Sequence, residues 1–295
     1  MSQKQIGVFC AVASSVLSSL AWIFQGEAVH RLTPMVVAAG QGLMTGVVYL
    51  VHLRISGQQF PHAAVRTHAR KLTEYILLRR VIGGILVCYA LLMSESIKVM
   101  FLTKLEPYLI LFWVWLLQGK TIPRPHAILL AVHITGAILL STGGSFTPSK
   151  LDPGDFLLIA AIALFAYCYL HAEHLSHELG AAHLNGVSSI AAWIILLPIA
   201  VVLAPTAAWN PISIGWLNLL IVVLLFDVIA VTLWYHSMRS LEGWVVSALR
   251  AVGPVLAAPF AWLFFNQSLN QMQILGAALV LITSALLTYS KAKSA

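Results

Sequence analysis

Long apolar runs, separated by short polar gaps, dominate the pattern along this chain. Each run is close to the roughly 20 residues that an α-helix needs to cross a bilayer. The ten runs cover residues 6–24, 34–53, 81–97, 99–118, 126–143, 155–172, 186–204, 213–236, 245–265 and 272–289. Proline, glycine and small polar clusters fall between them. The pattern therefore predicts an all-α integral membrane protein with ten transmembrane helices.

Composition agrees with this prediction. Of the 295 residues 60% are hydrophobic and 9% are charged, whereas a soluble domain carries about 25% charge. The formal net charge of +7 would suit nucleic acid only if the basic residues formed a patch on a polar face. They lie mainly in the gaps between apolar runs. We therefore expect the lipid bilayer, and no nucleic acid, as a partner.

The basic residues also predict the topology. With a cytoplasmic N-terminus, the inner gaps and the termini hold 12 Lys and Arg residues, and the outer gaps hold Arg31, Lys98 and Lys150. The positive-inside rule then predicts that both termini are cytoplasmic. The longest loop, Arg54–Arg80, is predicted to anchor this topology on anionic lipid. No organelle-targeting extension is visible, which favours the cell inner membrane of a bacterium.

The two halves of the chain share one pattern. A constant offset of 147 residues takes Pro107 to Pro254 and Lys120 to Gln267. Five spans in each half are an odd number, so the second half must enter the membrane with the opposite orientation. We therefore predict two inverted five-helix repeats, residues 1–147 and 148–295. Such repeats are typical of secondary transporters, which bind substrate near the bilayer midplane between the repeats.

Several short motifs resemble one known family. They are the end of the third span at Tyr89-Ala90-Leu91, the proline Pro107 with its following turn, the segment Gly154-Asp155-Phe156-Leu157, and the second-half series of Tyr235, Arg250, Pro254, Asn266-Gln267-Ser268 and Gly276-Ala277. Together with the duplicated ten-span layout, they resemble the EamA-type permeases of the drug/metabolite transporter superfamily. The resemblance covers nearly the whole chain. It implies transport of small metabolites, frequently export, without ATP hydrolysis.

One turn departs from that family pattern. The family has a glutamate after the glycine that follows the fourth span, whereas this chain has Gly119-Lys120 there and Gln267 in the second half. Whatever role that glutamate has is therefore not carried over to this chain.

Charged residues inside the spans are the first candidates for a binding site. Each costs about 2.5–3.5 kcal/mol at a helix centre, so we expect none of them to face lipid. Lys104 and Arg250 are predicted to contact an anionic group of the substrate. The alternative is internal pairing, of Arg250 with Asp227 and of Lys104 with a nearby acid. Glu106 lies two residues from Lys104, about 200° around an α-helix, and is predicted to face a neighbouring helix instead.

Polar, aromatic and proline residues complete the predicted site. Trp22, Gln41, Tyr89 and Tyr235 are further candidates for substrate contact, although aromatic residues at span ends also serve as interfacial anchors. Asp227, Glu106 and His236 are candidates for charge pairing or for coupling to a proton or another ion. Pro107 and Pro254 are predicted hinges, because proline removes a helical hydrogen bond.

The predicted function is secondary active transport, with export favoured, of a small polar metabolite such as an amino acid or an organic anion. A flippase for lipids or lipid-linked sugars is one alternative. A metal-dependent membrane enzyme is another, with ligands among His171, His174, His177 and Glu178; a solvated helix end explains the same cluster without a metal. No nucleotide-binding or hydrolase motif is present. We therefore expect no cofactor and no enzymatic activity, and the oligomeric state stays open.

Overall fold

The computed structural model describes residues 3–119, 124–144, 152–238, 241, 249 and 253–292. All regular secondary structure in these ranges is helical. This outcome confirms the all-α prediction.

In the first half of the chain, residues 3–119 and 124–144 form eight α-helices. A π-helical segment, Ile76–Ile82, joins α4 to α5, and a 3₁₀ turn, Thr103–Leu105, joins α6 to α7, so each of these pairs forms one longer helical run. The helices are α1 Gln3–Leu32, α2 Pro34–Ile55, α3 His62–Thr67, α4 Ala69–Tyr75, α5 Gly83–Met93, α6 Ser96–Leu102, α7 Glu106–Gln118 and α8 Arg124–Thr142.

The second half follows a similar plan over its described residues. A second π-helical segment, Val223–Ala230, joins α11 to α12. The helices are α9 Pro153–Leu179, α10 Ala181–Leu203, α11 Ile214–Val222, α12 Val231–Met238, α13 Gly253–Phe265 and α14 Gln271–Ala292.

Seven of the described helical runs are long and apolar enough to cross a membrane, and three shorter apolar helices accompany them, namely Arg124–Leu140, Gly253–Phe265 and Gln271–Leu286. Large apolar side chains such as Val202, Leu203 and Phe264 are more than 60% exposed. A water-soluble protein seldom exposes so much apolar surface, whereas lipid-facing helices require it. The protein is therefore a multi-pass membrane protein, and a count of ten spans stays a prediction.

The third span begins earlier than predicted. The expected start was residue 81, after a loop ending at Arg80, but the helical run extends over Ala69–Met93. Arg79 and Arg80 consequently lie in the middle of a span and not in a cytoplasmic loop. The prediction was wrong because hydropathy assigns every charge to a gap, while a helix that faces a polar interior can carry arginine.

Lys98 also differs from its predicted position in the external turn. It lies in α6, is only 8% exposed, and its Nζ forms an ion pair with Asp152 Oδ2 at 3.0 Å. Close by in sequence, Ser94 Oγ donates to Asp155 Oδ1 at 2.7 Å. These contacts tie the turn between α5 and α6 to the start of α9.

Helix packing follows the duplication of the chain. Helix α2 packs along α10 and α8 packs along α14, and in both cases the 147-residue offset relates the two partners to each other. The same offset takes α5 to α12 and α1 to α9. Correspondingly, α5 packs on α9 and α12 packs on α1. An internal two-fold axis would produce this set of pairs.

Two of these helix pairs approach closely at glycines. A Cβ atom on Gly276 would lie 2.5 Å from the Gly136 carbonyl oxygen and 2.6 Å from the Leu140 nitrogen. A Cβ on Gly42 would lie 3.0 Å from the Ser189 carbonyl oxygen. Small residues let membrane helices approach to backbone contact in this way.

We predict that Gly276→Ala lowers the free energy of unfolding by about 1–3 kcal/mol, because the added methyl group meets backbone atoms that cannot rotate away. Thermal unfolding of the purified protein in detergent measures this effect. Gly84→Ala is the matched control, since a Cβ at Gly84 meets no atom within 4 Å. Equal stability of the two variants would contradict the close packing of α8 and α14.

Candidate functional site

A central cavity of about 250 Å³ lies among α1, α2, α9, α10 and the three interrupted helical runs. Its walls combine apolar surface with many polar side chains. The polar uncharged residues are Ser18, Ser19, Gln25, Gln41, Thr103, Ser189 and Ser284. A concave site of this size, somewhat below the typical range of about 300–1,000 Å³ for ligand pockets, suits a small solute.

The charged residues of the cavity come from both halves of the chain. They are Arg79, Arg80, Lys104, Glu106 and Asp227. All five belong to helical runs that are long and apolar enough to cross a membrane. Ionisable side chains are tolerated at such depth when they face the interior of a helix bundle and meet polar partners.

Asp227 is only 5% exposed and is held by helix α2. Its Oδ2 accepts hydrogen bonds from Thr45 Oγ1 at 2.6 Å and from Gln41 Nε2 at 3.3 Å. The Tyr49 hydroxyl donates to the backbone carbonyl of Asp227 at 2.5 Å. Gln25 Nε2 extends this network by donating to Gln41 Oε1 at 3.2 Å. These bonds compensate the carboxylate for lost hydration and fix its orientation.

Arg80 is held in a corresponding way by helix α10. Its Nε donates to Ser188 Oγ at 3.2 Å, and its Nη2 donates to Asn185 Oδ1 at 2.8 Å. The neighbouring Arg79 places its guanidinium 4.9 Å from the ring centroid of Phe165, which is within the range of a cation–π contact. Both guanidinium groups therefore line the cavity, with Arg80 held against α10 and Arg79 against α9.

Arg80 and Asp227 both lie within π-helical segments. Arg80 belongs to Ile76–Ile82 and Asp227 to Val223–Ala230. The wider π-helical turn, which often occurs at functional sites, changes the direction in which the following side chains project. Each of the two π-helical segments thus carries a charged residue that lines the cavity.

Lys104 and Glu106 both line the cavity, so the expectation that Glu106 faces a neighbouring helix instead of the cavity was wrong in excluding it from the cavity. Glu106 also interacts electrostatically with Arg79 of a neighbouring run. The structural reason is the 3₁₀ turn Thr103–Leu105. With three residues per turn, positions two apart are separated by about 120° the short way round, compared with about 160° in a regular α-helix. This difference lets both side chains reach the same space.

The other predicted residues divide into three groups. Trp22 and Gln41 line the cavity. Tyr89 packs against the hydrophobic core, and His236 is exposed in α12, so the structure brings neither of them to the cavity. Arg250 and the side chain of Tyr235 lie outside the described residues.

The predicted hinge prolines occupy equivalent backbone positions. Pro107 lies in the first turn of α7, immediately after the 3₁₀ turn, and Pro254 is the second residue of α13. Proline is tolerated in a first helical turn because its missing N–H would have no partner there. Their role as hinges stays a prediction.

The contacts of the histidine cluster divide between two neighbours, Tyr167 and His68. The His171 ring packs 5.5 Å from the ring of Tyr167, whereas the His174 ring packs 5.0 Å from that of His68. Glu178 Oε2 lies 4.0 Å from His68 Nε2. Within the described part of the chain, no three His, Cys, Asp or Glu residues are close enough together to hold a metal ion.

Arg79 and Arg80 are site residues that the hydropathy argument missed. One sequence signal could have found the second of them, because the 147-residue offset takes Arg80 to Asp227, a charge already identified inside a span. The same offset takes Gln41, which bonds to Asp227, to Ser188, which bonds to Arg80. Arg79 has no comparable signal.

The fold and the cavity define a multi-pass membrane protein with a polar site between its helices. The model of the EamA-like transporter family matches the chain twice, over residues 5–142 and 152–289. The chain belongs to this family, as its motifs indicated. The starts of the two matches differ by the same 147 positions that separate Pro107 from Pro254.

Individual relatives agree with this membership. The chain is 25% identical over 290 residues to the uncharacterized transporter YetK of Bacillus subtilis, covering 95% of this chain and 86% of YetK. It is 26% identical over 230 residues to the pseudopaline exporter CntI of Pseudomonas aeruginosa, covering 76% and 78% of the two chains. A solved crystal structure shares its fold, with a TM-score of 0.65, 17% identity and coverage of 98% of this chain and 96% of that one.

We predict that a cysteine at Gln41 reacts with a membrane-impermeant thiol reagent in detergent solution, because the cavity admits water and the reactive thiolate requires a polar setting. The background carries alanine at the three buried native cysteines, Cys10, Cys88 and Cys168. Leu140→Cys is the control, since Leu140 is fully buried. Mass spectrometry reads the modification, and equal labelling of both variants would contradict a hydrated cavity.

Proposed function

We propose that the protein is a secondary active transporter that exports a small polar metabolite, such as an amino acid or an organic anion, by alternating access at the central cavity. The observation that carries this proposal is the set of five ionisable side chains around one cavity between helices of both halves. Such groups within a membrane typically mark a path for a polar solute. Membership of a transporter family supports the same conclusion.

Alternating access in this proposal depends on two inverted repeats, residues 1–147 and 148–295, that rock against each other. The pairing of α2 with α10 and of α8 with α14 supports this arrangement. The π-helical segments and the 3₁₀ turn beside Pro107 are suitable points for bending, because the regular α-helical hydrogen-bond pattern changes there. Asp227 and Glu106 are candidates for coupling to protons or other ions.

Export into the medium from a bacterial cell is the proposed direction. The relative CntI is named as an exporter, which supports this direction. The distribution of basic residues supports a cell inner membrane protein with both termini in the cytoplasm.

We expect Lys104→Ala to reduce export more than about tenfold, since losing one charge contact to a desolvated anionic group costs about 2–5 kcal/mol. The substrate is first identified by comparing the metabolites released by cells that lack or overproduce the protein. Lys71→Ala is the matched control, because Lys71 is exposed near the start of α4. If Lys104→Ala and Arg250→Ala both leave all solute movement unchanged at normal expression, the two bases do not bind substrate.

A lipid flippase is the second candidate, and one observation favours it. Another cavity, of about 390 Å³, lies among α7, α8 and α9, and its walls are almost entirely apolar. Exposed side chains such as Phe112 and Phe156 border it, as a cleft for an acyl chain would require. It shares no lining residue with the polar cavity in the described parts of the chain.

Reconstitution into vesicles separates these two candidates. A transporter of polar metabolites leaves the transbilayer movement of a fluorescent lipid at the rate of empty vesicles. Faster lipid movement that Phe156→Arg abolishes, while Lys104→Ala leaves it intact, would favour the flippase.

A further inference from the structure

We propose that Arg80 and Asp227 form a two-point binding site for a solute that carries both a cationic and an anionic group, with the anionic group at Arg80 and the cationic group at Asp227. This inference rests on the proposed transport function and narrows it, because a solute with only a negative charge would not satisfy the site. It also gives Asp227 a role in substrate recognition besides ion coupling or helix pairing.

The first argument is the geometric relation between the two charges. The 147-residue offset that aligns the two family matches takes Arg80 to Asp227, and it takes the π-helical segment Ile76–Ile82 onto the start of Val223–Ala230. Each charge bonds to a side chain at the equivalent position of the other half, Ser188 for Arg80 and Gln41 for Asp227. Equivalent backbone positions therefore present opposite charges to one cavity.

The second argument is that the two charges do not neutralise each other. Arg80 and Asp227 do not form an ion pair with each other, which would require a nitrogen–oxygen distance of 4.0 Å or less; their bonds go to Ser188, Asn185, Gln41 and Thr45 instead. Both charges line the same cavity of about 250 Å³. A dipolar solute placed between them satisfies both at once, which an anion or a cation alone cannot do.

The surroundings of Asp227 suit a cationic group. Trp22 and Phe226 line the cavity beside it, and their ring centroids are 6.3 Å apart. An acid next to aromatic faces attracts an ammonium group through both charge and cation–π attraction. The two side-chain bonds of Asp227 both go to Oδ2, and no donor among the described residues bonds to Oδ1.

The surroundings of Arg80 suit an anionic group. Arg79, Lys104 and the acid Glu106 line the cavity with it. Glu106 interacts electrostatically with Arg79, so Arg80 and Lys104 are the bases that we assign to the anionic group. The bonds to Ser188 and Asn185 use two of the five N–H donors of the Arg80 guanidinium, and the planar group can present others to a carboxylate. The Ser189 hydroxyl also lines the cavity, is buried, and has no hydrogen-bond partner in the described parts of the chain.

The test uses the full-length protein in vesicles and sets of solutes that differ only in charge. The probes are a mixture of neutral amino acids, the amines that correspond to them after loss of the carboxyl group, and the carboxylic acids that correspond to them after loss of the amino group. Mass spectrometry measures the movement of all three sets in one experiment. We expect the wild-type protein to move the zwitterions in clear preference to both singly charged sets.

The variants should change selectivity in opposite directions. Asp227→Asn should reduce zwitterion movement about tenfold or more and shift the preference towards the acids, whereas Arg80→Gln should shift it towards the amines. The combined exchange, Arg80→Asp with Asp227→Arg, should recover zwitterion movement, because the solute can bind in the reverse orientation. Glu95→Gln and Arg70→Gln are matched controls, since both side chains are exposed and neither lines the cavity.

Folding and binding are checked separately for each variant. Size-exclusion chromatography reports the folded state, and Asp227→Glu, which keeps the charge, should retain the preference for zwitterions. If a variant does not fold, stabilisation of the wild-type protein against heating by each of the three solute sets still gives the order of binding.

Two results would overturn the inference in distinguishable ways. If the wild-type protein moves only singly charged or uncharged solutes, or if Asp227→Asn keeps the zwitterion preference, the two-point site is wrong while the transporter proposal stands. If no solute moves in vesicles and no metabolite differs between cells lacking and overproducing the protein, both proposals fall.

Discussion

The structure depends on how charges inside a bilayer protein are satisfied. Arg80 and Asp227 each sit in the middle of an apolar helical run, where an unpartnered charge would strongly oppose insertion. Each is instead held by polar groups of a facing helix, with donors from α2 on Asp227 and acceptors from α10 on Arg80. These bonds connect α2 and α10 to the interrupted helical runs that carry the two charges, and they keep a polar surface at the cavity.

The close pair of α2 and α10 is the framework for this arrangement. Gly42 and Ser189 meet at the crossing, and the 147-residue offset relates them to each other. The crossing therefore lies where an internal two-fold axis would pass. The helical runs that carry Arg80 and Asp227 pack on either side of this pair. A rotation of one half against the other would therefore alter the spacing of the two charges while leaving the crossing in contact.

Much of the fold could be predicted from the sequence, because the cost of burying polar backbone in lipid permits only long apolar helices here. The positions of most helices could be predicted in this way, and Gln41, Trp22, Lys104 and Asp227, chosen from the sequence as candidates, line one cavity. The start of the third span did not, because hydropathy cannot distinguish an arginine in a loop from one that faces a cavity. Glu106 was misplaced because the spacing argument assumed a regular α-helix, and the local 3₁₀ turn depends on tertiary packing.

The occurrence of a π-helical segment at equivalent places in both halves has a consequence for the history of the chain. If the halves descend from one shorter gene, the segment was present before that gene was duplicated. An ancestral pair of identical subunits would have carried the same residue at both places, and so the same sign of charge. Fusion into one chain removed this restriction and allowed arginine and aspartate to diverge at the two positions. On this view, an asymmetric site became accessible only when the symmetric assembly became a single polypeptide.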